Sequence, residues 1–221
     1  MIIMLFRSVL ACLAASQLVA GHGAIVKAVG DQGGNGTALG IDASTPRDGS
    51  NRNPFQQDST RFKNAAADQC GETLGGGTND PATQVPQMLA ANGGQMPQIS
   101  AGGMVMMTLH QVNGDGAGPY ECMIDSTGTG TQWTNMQVAT NVPGTNSRSK
   151  AKATDFPLNA KVAADQTCTG SMGGMDGICM VRCNNAANAG PFGGCVPVQM
   201  ASGAGNATAA PAARLARSFN A

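Results

Sequence analysis

The chain has 221 residues, in which 13 Lys+Arg are balanced by 13 Asp+Glu and only 2 residues are His, so it lacks the cationic surface a nucleic-acid binder needs. Charged residues make up 12% and are outnumbered by 31 glycines, which excludes a coiled coil or long-helix protein. An apolar share of 42% is too high for a wholly disordered chain, and one loop-rich domain is expected.

Residues 1–20 (MIIMLFRSVLACLAASQLVA) hold one charge, Arg7, then an apolar run from Val9 through Ala15 and a small-residue exit. This pattern predicts a secretory signal peptide, too short for a membrane span. Signal peptidase accepts compact side chains at the last and third-last positions. Cleavage after Ala20 would present Leu18 there, whereas cleavage after Gly21 presents Val19 and Gly21 and is preferred. The expected organisation is a signal peptide over 1–21, one domain over 22–200 that begins at His22, and a low-complexity tail over 201–221. No second apolar stretch is long enough to span a bilayer, so the mature protein is expected to be secreted, monomeric and not membrane-bound.

Cys12 leaves with the signal, and Cys70, Cys122, Cys168, Cys179, Cys183 and Cys195 remain. An even count in an oxidising compartment predicts three disulfides, with the pairing open. The rival is a zinc site, because Cys179 and Cys183 are close in sequence and two histidines are present.

From Asp31 to Asp80 the sequence is dominated by turn formers (GGNG, STPRDGSNRNP, GGGTNDP) and predicts a long surface excursion. Asn35 and Asn206 open glycosylation acceptor triplets. Strands are predicted over Met104–Val112, Tyr120–Asp125, Trp133–Val142, Ile178–Cys183 and Cys195–Met200. A further edge strand is predicted over Asp155–Val162, weakened by Pro157. Short strands with Gly-rich turns predict an all-β fold, an antiparallel immunoglobulin-like β-sandwich with long loops, stabilised by disulfides. Met104, Met106 and Met107 are read as core filling rather than as soft metal ligands.

An N-terminal histidine can chelate a metal through its α-amino group and its imidazole together. The amine has an ordinary pKa of about 7.7–8.0, so losing its proton to a divalent cation costs little near neutrality. A second imidazole would complete three nitrogens in a planar arrangement that suits one copper ion. His22 and His110 are therefore the candidate metal ligands. The alternative is that His22 is incidental and His110 a hydrogen-bonded core histidine.

Over most of the mature length, HGAIVKAVGDQGG, STPRDGSNRNPFQQDSTRF, MTLHQVNGDGAGPY and MVRCNNAANAGPFGGCVPVQ resemble the fungal Gas/Mas-type secreted virulence factors associated with the appressorium. A sparser pattern is similar to the lytic polysaccharide monooxygenases, whose copper is held by a histidine brace. It consists of a signal peptide ending at HG, an internal His upstream of a Gly-Pro-aromatic segment, and an aromatic three residues before a Cys. The resemblance implies His22 and His110 as copper ligands, Phe192 as the aromatic along the metal's axial direction, and Tyr120 as its rival. Gly190 stands where many of these enzymes have Gln, which leaves Glu121 and Gln199 as candidates to orient oxygen. One Trp and one Tyr make a flat aromatic platform hard to build.

No GxSxG elbow, HExxH helix or phosphate-binding GxxxxGK[ST] loop occurs. Scattered carboxylates (Asp115, Glu121, Asp125) single out no hydrolytic pair. The expected function is a secreted, copper-binding, virulence-associated protein that oxidatively cleaves a cell-wall polysaccharide, with chitin, cellulose, a cuticle polymer and pectin all compatible with the sequence. The alternatives are a non-catalytic copper- or glycan-binding factor and a structural wall protein without metal.

Overall fold

In MVMMTLHQ apolar residues alternate, which in an extended chain sends Val105, Met107 and Leu109 to one side, where all three are buried. The same logic, repeated along the chain, builds the computed structural model, which describes residues 22–201. The predicted signal peptide, Asn206 and the tail beyond Ala201 lie outside the described residues.

β1 (Gly23–Gly30) turns into β2 (Gly33–Gly36). The small strands β3 (Thr60–Arg61), β4 (Glu72–Thr73) and β5 (Gly77–Thr78) precede α1 (Pro81–Ala91) and β6 (Gln98–Ile99). The long strands follow as β7 (Met104–Gln111), β8 (Tyr120–Asp125), β9 (Thr134–Thr140) and β10 (Thr154–Lys161), then the short β11 (Gly170–Met172), then β12 (Met175–Asn185) and β13 (Phe192–Met200).

Seven of these close into a barrel in the order β12, β8, β9, β10, β7, β1, β13, with β13 pairing back onto β12 from Ile178↔Gln199 to Asn184↔Gly193. The expected all-β class holds, but the expected immunoglobulin-like sandwich does not: the sheet is closed rather than split into two layers. The element that makes the difference is β1. Its GAIVKAVG run pairs antiparallel with β7 and, through Ala24↔Gly193, parallel with β13, so it occupies the gap where a sandwich would leave edges. The barrel is filled by Ile25, Val105, Leu109, Leu158, Val181, Val196 and Val198.

β10 is an internal barrel strand, not an edge. It tolerates Pro157 because pairing with β9 begins only at Asn159, so the missing N–H falls where the ladder has one neighbour. The Asp31–Asp80 excursion is more than surface, since it buries Leu39, Phe62 and Cys70 with Met180 and Cys195 in a second core against the outer face of β12 and β13. Helix α1 adds Val85, Met88 and Leu89 to that core. Asp80 caps the helix by accepting from the Ala82 amide at 3.2 Å, and Pro81 opens it. The guanidinium of Arg182 lies 4.2 Å over the Phe62 ring and donates to the Gln69 carbonyl at 3.0 Å, which pins the excursion to β12.

The six cysteines among the described residues all pair, as Cys70–Cys195, Cys122–Cys183 and Cys168–Cys179. Cys179 and Cys183 thus serve different disulfides and do not form a zinc site.

Asp125 ends β8 and organises the turn to β9. Its carboxylate accepts from the Thr127 hydroxyl at 2.6 Å and amide at 2.8 Å, the Thr129 hydroxyl at 3.2 Å, the Thr131 amide at 2.9 Å and the Gln132 amide at 3.2 Å. Burial pushes this carboxyl's pKa up, but the bonds from Thr127, Thr131 and Gln132 outweigh it and hold the group below the ordinary value. The folded pKa lies below the unfolded one, so the stabilisation is complete above the unfolded value near pH 3.9 and disappears as pH falls through the folded value. Asp125→Asn should therefore cost about 1–3 kcal/mol at neutral pH and flatten the acid limb of the stability curve. Urea midpoints measured from neutral pH to below pH 3 check this.

Candidate metal centre

The register of β1 against β7 sets the two histidines. Gly23 faces Gln111, Ala24 faces His110, and the Val112 amide donates to the His22 carbonyl at 2.9 Å. Alternation puts His22, Ala24 and His110 on the outer face of the barrel, with Gly23 and Leu109 inward. His22 and His110 are then diagonal cross-strand neighbours, an arrangement with a typical separation of about 7–8 Å. Gly23 is required where it is: a Cβ there would run into the Tyr120 hydroxyl.

His110 is 2% exposed, although it faces outward. Its Nδ1 is 2.7 Å from the Asp155 carboxylate, carried by the opposing residue of β10. A carboxylate only accepts, so in the neutral ring the proton is on Nδ1 and the lone pair on Nε2. That Nε2 is buried and has no hydrogen-bond partner among the described residues. A buried nitrogen lone pair left unmatched costs free energy. A carboxylate behind one ring nitrogen is the arrangement that orients a metal-binding imidazole.

His22 is 3% exposed, and its backbone nitrogen donates to Asn113 Oδ1 at 2.7 Å. Its ring lies 4.8 Å from the Phe192 ring, tilted by 34°. His22 also lines a small cavity of about 30 Å³ with Ser59, Arg61 and Glu72. Arg61 and Glu72 pair there at 2.6 Å, and the buried Ser59 hydroxyl has no hydrogen-bond partner among the described residues.

The two aromatic candidates separate. Phe192, fully buried, stands against His22. Tyr120 is turned into the barrel, where its hydroxyl donates to the Gly116 carbonyl at 2.9 Å and burial pushes the phenol far above its ordinary pKa. Both are tied to Asn185, which faces Tyr120 in the ladder and accepts from the Phe192 amide at 2.9 Å. Glu121 is exposed on β8, and Gln199 is engaged with Gln98 and the Asp176 carbonyl near the end of β13 opposite Phe192. No cluster of three or more His, Cys, Asp or Glu in metal-binding positions is found among the described residues. A brace asks for only two side chains and an amine.

Sequence reasoning missed Asp155 and Asn113. Asn113 carried a faint signal, three residues beyond His110 in HQVNG. Asp155 carried none, because its place depends on the register between β7 and β10.

The comparisons with known proteins agree with the long resemblance. The family model described as Egh16-like virulence factor matches residues 20–193. The chain is 57% identical over 192 residues to the appressoria-specific virulence factor GAS1 of Pyricularia oryzae, covering 86% of this chain and 76% of that one. It is 41% identical over 132 residues to the appressoria-specific virulence factor GAS2 of the same organism, covering 55% of this chain and 46% of that one. No solved structure matches. Among the described residues no helix is long and apolar enough to cross a membrane. On the extent of these matches, the chain belongs to the Egh16-like virulence factor family.

Proposed function

We propose that the protein is a secreted, copper-binding virulence factor that acts on extracellular polysaccharide. One ion would be held by the His22 amine and imidazole and by His110 Nε2 once the chain begins at His22. The observation that carries this reading is His110 itself: Nδ1 fixed by Asp155, and Nε2 buried with its lone pair unmatched, on the same barrel face as His22. The bond from the His22 nitrogen to Asn113 is compatible with it. An amine that gives its lone pair to a cation keeps two N–H groups, and one can still donate to Asn113 Oδ1.

When bound, copper would supply one-electron redox chemistry toward oxygen or peroxide. The chain's own residues have defined tasks. Asp155 orients the His110 ring and, in the neutral ring, holds the proton on Nδ1, Asn113 accepts from the His22 nitrogen, and Phe192 packs on the His22 ring. A second reading, copper binding without oxidative turnover, is favoured by one observation. Glu121 and Gln199, the residues carried over to orient oxygen, are both directed elsewhere.

The test is a titration of Cu(II) into protein secreted with His22 as its first residue, against the same protein with one alanine added in front. The native start should bind one equivalent tightly and show nitrogen hyperfine structure in its paramagnetic resonance spectrum. The extended protein should lose most of that affinity. Equal binding by the two would end the brace reading, and release of oxidised sugars from a polysaccharide would decide between turnover and binding alone.

A further inference from the structure

Beside the candidate centre, and sharing Asn113 with it, lies a groove of about 780 Å³ with walls from three distant segments. Ser50 and Asn51 come from the excursion, Asn113 to Asp115 follow β7, and the third wall is the strip from Thr145 to Lys152. The strip SRSKAK is held in one orientation. Ser147 is buried and its hydroxyl accepts from the Ala186 amide at 3.0 Å. Ser149 Oγ and the Ala151 carbonyl both accept from the buried Gln111 amide at 2.8 Å. The alternate residues Arg148, Lys150 and Lys152 are exposed and line the groove. Its one carboxylate, Asp115, pairs with Arg148 at 3.7 Å, while Lys150 and Lys152 have no ion pair among the described residues. In a chain with balanced charge this is a local cationic excess.

The remaining lining is hydroxyl and amide: Ser50, Asn51, Asn113, Thr145 and Ser149. It contains no aromatic ring, so it cannot recognise a neutral sugar by stacking, nor nucleobases by their faces. It contains no large apolar side chain to enter a lipid surface. Ammonium groups among hydroxyls and amides match a polymer that carries both carboxylates and hydroxyls. We infer that this groove binds an acidic polysaccharide, a chain of hexuronate units, and lays it beside His22. The inference deepens the substrate side of the copper reading and rests on that reading only for the chain's position at the metal. Binding itself needs no metal.

The experiment uses the secreted protein stripped with a chelator and measures binding of oligogalacturonates by calorimetry. Alginate oligomers, neutral cello- and chito-oligosaccharides, duplex DNA and anionic vesicles are run in parallel at equal ionic strength. Uronate oligomers should bind, more weakly as salt rises, and the galacturonate and alginate arms identify which uronate fits. Lys150→Gln with Lys152→Gln should weaken binding about fivefold or more without moving the melting temperature, and Lys150→Glu with Lys152→Glu should abolish it. Unchanged affinity in both double variants, equal binding of neutral oligomers, or tighter binding of DNA or vesicles would overturn the inference. Failure to bind copper in the separate titration would leave it intact.

Discussion

Replacing His110 by alanine in a chain that starts at His22 should weaken copper binding by at least about 100-fold, since loss of even an outer partner of a metal-binding histidine costs about 10–100-fold. Competition against a chelator of known affinity measures it. The companion Asp155→Asn keeps the imidazole but removes the acceptor behind Nδ1, so it should fall in that smaller range and restore part of the freedom of the ring. The order matters more than either value. If both variants bind as tightly as the parent, the metal is held elsewhere. If Asp155→Asn is the more damaging, the carboxylate is itself a ligand and the role assigned to Nε2 is wrong. Because His110 is buried and bonded to Asp155, the melting temperature of each variant is measured alongside, and the expected result is a loss of copper affinity in protein that remains folded.

The second large effect concerns stability. Removing Cys70–Cys195 by alanine at both positions should cost about 2–5 kcal/mol and lower the melting temperature by roughly 5–20 °C. Removing Cys168–Cys179 should cost about 2 kcal/mol less, because it closes a separation of 11 residues rather than 125. The longer link also holds the excursion that brings Ser59, Arg61 and Glu72 to His22, so its loss should affect copper affinity as well. Calorimetry on the two double variants, with copper titrations alongside, tests both statements. Equal melting temperatures would show that the excursion is held by its packed core and by Arg182 rather than by the covalent bond.

Legibility in the sequence followed the kind of information each element needs. The strands β7, β8 and β9 and the cores of β12 and β13 stand out because alternation and turn residues are local signals. Helix α1 was hidden by Pro86 inside it, although Asp80 and Pro81 ahead of Val85, Met88 and Leu89 have the form of a helix start. The strand β1 was hidden by its glycines and alanines, which give no strong strand pattern, and missing it turned a barrel into a sandwich. At the site, His22 and His110 were legible as residue types and Phe192 by its place before Cys195. Asp155 was not, because a ladder register joining residues 45 apart is a property of the folded sheet.

The placement of β1 also orders events in time. This first strand of the described chain hydrogen-bonds to β13, the last, through Ala24 and Gly193, so the barrel cannot be completed until nearly all of it has been made. Contacts spanning such a length form late and slowly. His22 sits at the mouth of that closing strand and Phe192 at the start of its partner. A partly folded chain thus has neither a shut barrel nor an assembled pair of histidines. If the protein takes up copper as proposed, topology alone would defer that uptake to the finished protein.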